Sequence, residues 1–173
     1  SNEVGEWLVD TASALKNIAP LLSKGPVSPT QRLATLRSLG EAASKYQAAV
    51  YQDEPFSGKS LQKLDVINSL FENALTVIDH SISTNRRDDG LYHAYNLLEP
   101  QQDGILVKRL YLMLEGQVAA LSSGFVGPEE ACAVLERLFD SEVYRQDQHS
   151  FMLYPDRKLP GFLEKNCVPA SDV

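Results

Sequence analysis

A chain of 173 residues has the length of one domain and buries roughly 70% of its unfolded surface on folding, so it needs no disulfide or metal staple. Hydrophobic residues at 43% and charged residues at 23% separate it from disordered chains. Sixteen basic against 23 acidic side chains leave a net charge of −7, which repels polyphosphate and anionic lipid, and there is no run of 18 apolar residues; neither nucleic acid nor a membrane is an expected partner.

The chain opens on Ser1-Asn2 rather than methionine, from which we expect residues 1–173 to be a single helical domain excised from a larger multidomain protein. No basic, apolar and small-residue leader series precedes the first periodic segment. Cys132 and Cys167 form no C-x-x-C motif, which points to a reducing, cytoplasmic setting, and the apolar neighbours of Cys132 predict a buried thiol.

In chain order, Val4, Trp7, Leu8, Leu15, Ile18 and Leu22 recur at three- and four-residue spacing and predict a helix from about Glu3, with Pro20 disturbing its last turn. Ser28-Pro29 reads as an N-cap followed by a first-turn proline. The helix it opens carries Leu33, Leu36, Leu39, Ala43, Tyr46 and Val50 as its buried stripe and ends near Asp53-Glu54-Pro55. A third helix is predicted after Ser57-Gly58, with Leu61, Leu64, Ile67, Phe71, Leu75, Ile78 and Ile82 as the longest periodic series. Residues 103–122 predict a central fourth helix, apolar on more than one face. Gly124 suits its left-handed cap, and Gly127-Pro128-Glu129-Glu130 opens a fifth helix that reaches Asp140.

Two aromatic stretches, residues 90–98 and 150–154, are too short for helices and read as strands that can pair as a ribbon beside the bundle. The predicted fold is therefore mainly α, a bundle of about five helices with a short two-stranded β ribbon.

These stretches also hold the chemistry. Arg87, Asp88 and Asp89 precede Tyr92, His93, Tyr95 and Asn96, and an extended backbone places His93 and Tyr95 on one face. Asp147 and His149 precede Tyr154 and Arg157, in a segment stiffened by Pro155 and Pro160. The acid–base candidates are His93, Asp89, Asp147 and His149; the ligand-binding candidates are Tyr92, Tyr95, Asn96, Arg87, Tyr154 and Arg157. The plainer reading makes residues 84–90 an ordered loop held by aspartate turn bonds and makes Phe151, Leu153, Phe162 and Leu163 a strap over the bundle. His80, His93, His149 and the two cysteines lack zinc-ligand spacing, and the nucleophile-elbow, phosphate-loop and dinucleotide fingerprints are absent, so neither metal nor cofactor is expected.

The runs Asp89-Gly90-Leu91-Tyr92-His93-Ala94-Tyr95-Asn96-Leu97 and Met113-Leu114-Glu115-Gly116-Gln117-Val118-Ala119-Ala120-Leu121-Ser122-Ser123-Gly124, with residues 149–166, are together similar to a block in very large bacterial proteins, some labelled cellobiose phosphorylase-like. The resemblance implies a domain whose partners are the other domains of a parent protein and carbohydrate, and it carries no catalytic residue across. Three functions follow as expectations: a non-catalytic accessory or interaction domain, part of a glycosidase or phosphorylase active site, or a structural oligomerisation bundle.

Overall fold

The computed structural model describes residues 1–51, 55–59 and 61–170. Ser1 starts the first helix, α1 (Asn2–Leu22), its hydroxyl accepting from the Val4 N–H. The helix runs through Pro20 to Leu22; so near the C-terminus the proline removes one N–H without ending the helix, and the expected disturbance does not occur. Ser28 and Gln31 form a reciprocal capping box that launches α2 (Pro29–Val50), as the Ser-Pro signal predicts. The predicted stop at 53–55 falls largely outside the described residues.

α1 is the middle of a three-helix layer, flanked by α2 on one side and α3 (Leu64–Thr84) on the other. Its small residues Gly5, Ala12, Ala14 and Ala19 let both neighbours approach, while Leu15 and Ile18 fill the space between. α2 turns Ala42 inward, with Leu39 and Tyr46 half-buried, and leaves Leu36 and Val50 exposed, so its predicted stripe is rotated. The third helix differs more. It begins at Leu64, with Leu61 exposed outside it, and the side against α1 is Val66, Ile67, Leu70 and Val77. Most of the predicted stripe instead faces solvent: Leu64 is 71% exposed, Phe71 61%, Leu75 60% and Ile78 52%, while Ile67 and Ile82 are half-buried. α3 is apolar on two sides, and α1 covers only one.

Residues 103–109 are not helical. β1 (Asn96–Gln101) and β2 (Gly104–Arg109) pair antiparallel from Asn96 opposite Arg109 to Gln101 opposite Gly104, around a two-residue Gln102-Asp103 turn. The Asp-Gly corner and the Ile105-Leu106-Val107 run favour a hairpin, and this local pairing outcompetes the helical periodicity. The hairpin rests on the start of α2. Thr30 Oγ1 donates to the Asp103 carbonyl at 3.1 Å, and a Cβ on Gly104 would stand 2.5 Å from Pro29 Cβ.

α4 (Leu114–Ser122) and α5 (Pro128–Phe139) form the expected helical hairpin, with Gly124 at φ +76° in the turn. β3 (Tyr144–Arg145) and β4 (Ser150–Phe151) form a second small hairpin, followed by the single-turn α6 (Phe162–Lys165). Of the predicted strand at 90–98 only 96–98 is extended, as the start of β1, and of 150–154 only Ser150–Phe151; residues 90–95 are irregular. Both strands pair with sequence neighbours and not with each other, since short hairpins close at lower entropic cost than a long-range ribbon. The architecture is mainly helical, with two small antiparallel sheets.

The main core is Leu91, Tyr92, Leu112, Ala120, Val134, Leu138 and Val143, with Ile82 and Phe151 packed against it. Phe139, Tyr144 and Phe151 close its edge with ring centroids 5.1–5.2 Å apart. Two further expectations are corrected. Cys132 is exposed on α5, because Val134 and Leu138 take the inward positions of that helix. No C-terminal strap forms: Phe162 is 78% and Leu163 81% exposed beyond the Pro155 and Pro160 bends, and only Phe151 of the four strap residues joins the core. Among the described residues no helix is long and apolar enough to cross a membrane.

Candidate functional site

The polar run 85–95 leaves α3 and crosses the start of α4 without a helix or strand of its own. Backbone bonds from the Arg87 N–H to the Leu91 carbonyl and from the His93 N–H to the Asn85 carbonyl fold it back on itself, and side-chain bonds fix it to the helices. Fully buried Gln117 on α4 grips it from beneath: Oε1 accepts from the Tyr92 N–H at 2.8 Å, and Nε2 donates to the Tyr92 carbonyl at 2.7 Å. Gly116 makes this approach possible, because a Cβ there would stand 2.9 Å from the Ala94 nitrogen. At the outer end, the Tyr92 hydroxyl donates to Glu130 Oε1 at 2.8 Å and Arg86 Nε to the same oxygen at 2.6 Å. Those two donors hold the Glu130 carboxyl below the usual carboxylate range, Tyr92 foremost. Burial is the main reason that the Tyr92 phenol is pushed up.

Arg87 and Asp89 are occupied with one another. The guanidinium donates from Nη2 to Asp89 Oδ2 at 2.8 Å, and Asp89 Oδ1 accepts from the Leu91 N–H at 3.0 Å. That bond network lowers the Asp89 carboxyl and fastens a turn through Gly90 at φ +79°. Arg145 and Asp147 repeat the same i, i+2 fork in the second hairpin, at 2.8 and 2.6 Å. His149 stands beside it at φ +47°, its Nδ1 3.3 Å from the Tyr144 hydroxyl.

Tyr92, His93 and Tyr95 line a cavity of about 590 Å³ between the C-terminal half of α3 and α4, together with Ile78, Ile82 and Glu115. It continues the exposed α3 stripe at Ile78, with half-buried Ile82 beyond it. His93 Nδ1 lies 3.0 Å from the Leu110 carbonyl, so this nitrogen carries the proton and Nε2 is left free. Burial is the main cause of its lowered pKa, aided by the charges of Arg87 and Arg109. A hydrogen bond to Glu115 pushes the Tyr95 phenol up. Asn96 turns aside, its Nδ2 donating to Asn85 Oδ1 at 2.9 Å.

Arg87, Asp89 and His93 also line a smaller hollow of about 400 Å³ with Arg86 and Arg109. Tyr154 and Arg157 belong to a third, of about 600 Å³, where the Arg157 guanidinium carbon sits 4.6 Å from the Tyr111 ring centroid. The two sequence segments thus anchor on the same helix, Tyr92 on Gln117 and Leu153 through the Leu114 N–H, but open different concavities. Asp147 and His149 line none of the three. Sequence reasoning missed Gln117, Glu115 and Asn85. A lone glutamine among Val118, Ala119 and Ala120 was the available signal for the first; nothing local marks the others.

Among the described residues no group of three or more His, Cys, Asp or Glu is arranged to hold a metal ion. No protein-family model and no curated protein matches this chain.

Proposed function

We propose that the chain is a non-catalytic interaction domain that holds another polypeptide in the groove formed by the outer face of α3 and the cavity beside Tyr95. The observation that carries this is the apolar row Leu64, Phe71, Leu75 and Ile78, more than half exposed throughout and leading into a cavity walled by Ile82, Tyr92 and Tyr95. Apolar walls with a few fixed polar groups, here the Tyr95 hydroxyl, Glu115 and His93, are the composition of a recognition site. Helix-in-groove docking uses such a surface, with anchors every three or four residues. An accessory role within a large bacterial protein, as the C-terminal resemblance implies, fits this reading.

A photo-crosslinking residue in place of Ile78, activated in the living host, tests it. Discrete adducts with a polypeptide are expected, identified by mass spectrometry, lost with Phe71→Asp and reduced by Tyr95→Ala without a lower unfolding midpoint. Tyr154→Ala, in a separate cavity, leaves them unchanged. Absence of any adduct overturns the reading. Turnover of glucan oligosaccharides with free phosphate, abolished by His93→Ala, would replace it with the carbohydrate-active one.

A further inference from the structure

We infer that the occupant of this groove is the segment 158–168 of a second copy of the chain, which joins copies head to tail; the inference rests on the groove being a polypeptide-binding surface. Both halves of such a contact are displayed on the same molecule. The groove is acidic as well as apolar. One row round α3 from the apolar stripe run Asp65, Glu72 and Asp79, spaced seven apart, and Glu115 stands on the far wall of the cavity. α3 contains no lysine or arginine, and none of these four carboxylates joins an ion pair among the described residues.

The segment is the complement. Leu159, Phe162, Leu163 and Val168 are all exposed, Phe162 and Leu163 on the single turn of α6 and Leu159 in the irregular stretch before it. Lys158 and Lys165 bracket the first three, without an ion-pair partner among the described residues. Glu164, the one acidic residue among them, is turned back to accept from the Gly161 N–H at 2.9 Å. An exposed apolar segment that carries two unpaired lysines therefore meets an apolar face edged by carboxylates.

Other ways of covering the groove fit less well. Packing α3 on α3 across a two-fold, with the helices antiparallel, places the acidic row against itself, Glu72 beside its own symmetry mate. The molecule's own segment is rooted in the Tyr111 cavity through Arg157, and that cavity shares no lining residue with the groove. A contact between two different surfaces is heterologous, so it propagates into open chains or closes into a ring.

The test is sedimentation of the whole chain from micromolar to millimolar concentration, with a groove variant (Phe71→Asp with Leu75→Asp) and a segment variant (Phe162→Asp with Leu163→Asp). All four side chains are exposed, so both variants are expected to melt like the parent by circular dichroism. The parent is expected to gain mass with concentration and to lose it with added salt. Each variant alone should remain monomeric, its association weakened at least about a hundredfold. An equimolar mixture retains one intact groove and one intact segment and should give a one-to-one dimer that grows no further. A parent that stays monomeric throughout, a mixture that does not pair, or a groove variant that still assembles overturns the inference. Crosslinks from Ile78 to a different polypeptide would then leave the interaction-domain reading standing while this one falls.

Discussion

Replacing Gln117 with methionine isolates what holds the 92–95 segment in place. Methionine matches glutamine in length and volume, so packing is retained while both hydrogen bonds to Tyr92, at 2.8 and 2.7 Å, are lost. The Tyr92 N–H and carbonyl then stay buried without partners, at about 1–3 kcal/mol each. The Met113 carbonyl, bonded by the Gln117 side chain at 3.0 Å, also lies at the i−4 position to accept from the residue 117 backbone N–H and adds little. The expected loss is about 4 kcal/mol, or about 12 °C in melting temperature for a chain of this length. Urea unfolding measures the first figure and calorimetry the second. Gln117→Glu keeps the acceptor for the Tyr92 N–H but loses the donor to its carbonyl and buries a charge, so it should be no milder. A Gln117→Met variant within about 1 kcal/mol of the parent, with unchanged exchange at the Tyr92 amide, would refute this account of the segment.

The outer side of α3 should respond differently from the core. Leu75→Ala, on the solvent side, should cost less than about 1 kcal/mol, whereas Leu138→Ala in the core should cost about 3 kcal/mol in the same urea titration. Gly90→Ala should lose about 1 kcal/mol, because φ +79° is strained for any side chain, while the Arg137 guanidinium 2.7 Å from the new Cβ is a movable side-chain end. Hydrogen bonds from Ser57 hold the Glu3 carboxyl at about 2. Since its folded pKa is depressed, this contact contributes above the ordinary value of about 4.3 and is lost as pH falls through the folded one. Carbon-detected titration should show that midpoint, and one at the ordinary value would mean that the contact is unmade. Glu130 is lowered in the same sense, so Glu130→Gln, which still accepts from Tyr92 and Arg86, should flatten the acid limb of the stability curve.

Legibility in the sequence followed the range of the forces involved. Ser28-Pro29, Gly124 and Gly127-Pro128 act within a turn of their own positions, and the structure places a helix start, a left-handed cap and a helix start at them. Residues 103–109 misled because Ile105, Leu106, Val107 and Leu110 satisfy a helical period as well as a strand, and the deciding signal was the Asp-Gly pair at one end. Of the candidate site, Tyr92, His93 and Tyr95 do gather around one cavity, whereas Tyr154 and Arg157 open another. That separation depends on where α4 runs, and no local pattern encodes it. The bond from the Leu91 N–H to Asp89 was readable as aspartate turn chemistry because its partners lie two residues apart, whereas the Arg145–Asp147 fork was not read.

α3 shows what periodicity does and does not specify. It marks which positions are apolar, and two rows qualify, one through Ile67 and Leu70 and one through Phe71 and Leu75. The choice between them belongs to α1, which accommodates one row and leaves the other in water. Covering the outer row would recover about 1.2 kcal/mol for each of four side chains already two-fifths buried, or about 5 kcal/mol in all. Association costs at least about 4 kcal/mol in lost freedom. The stripe alone therefore comes close to balance, and a stable contact needs more: an apolar anchor in the cavity beside Tyr95 and charges opposite Asp65, Glu72 and Asp79. An occupant with only one of the two would dissociate readily, which is why the proposed one is both aromatic and basic.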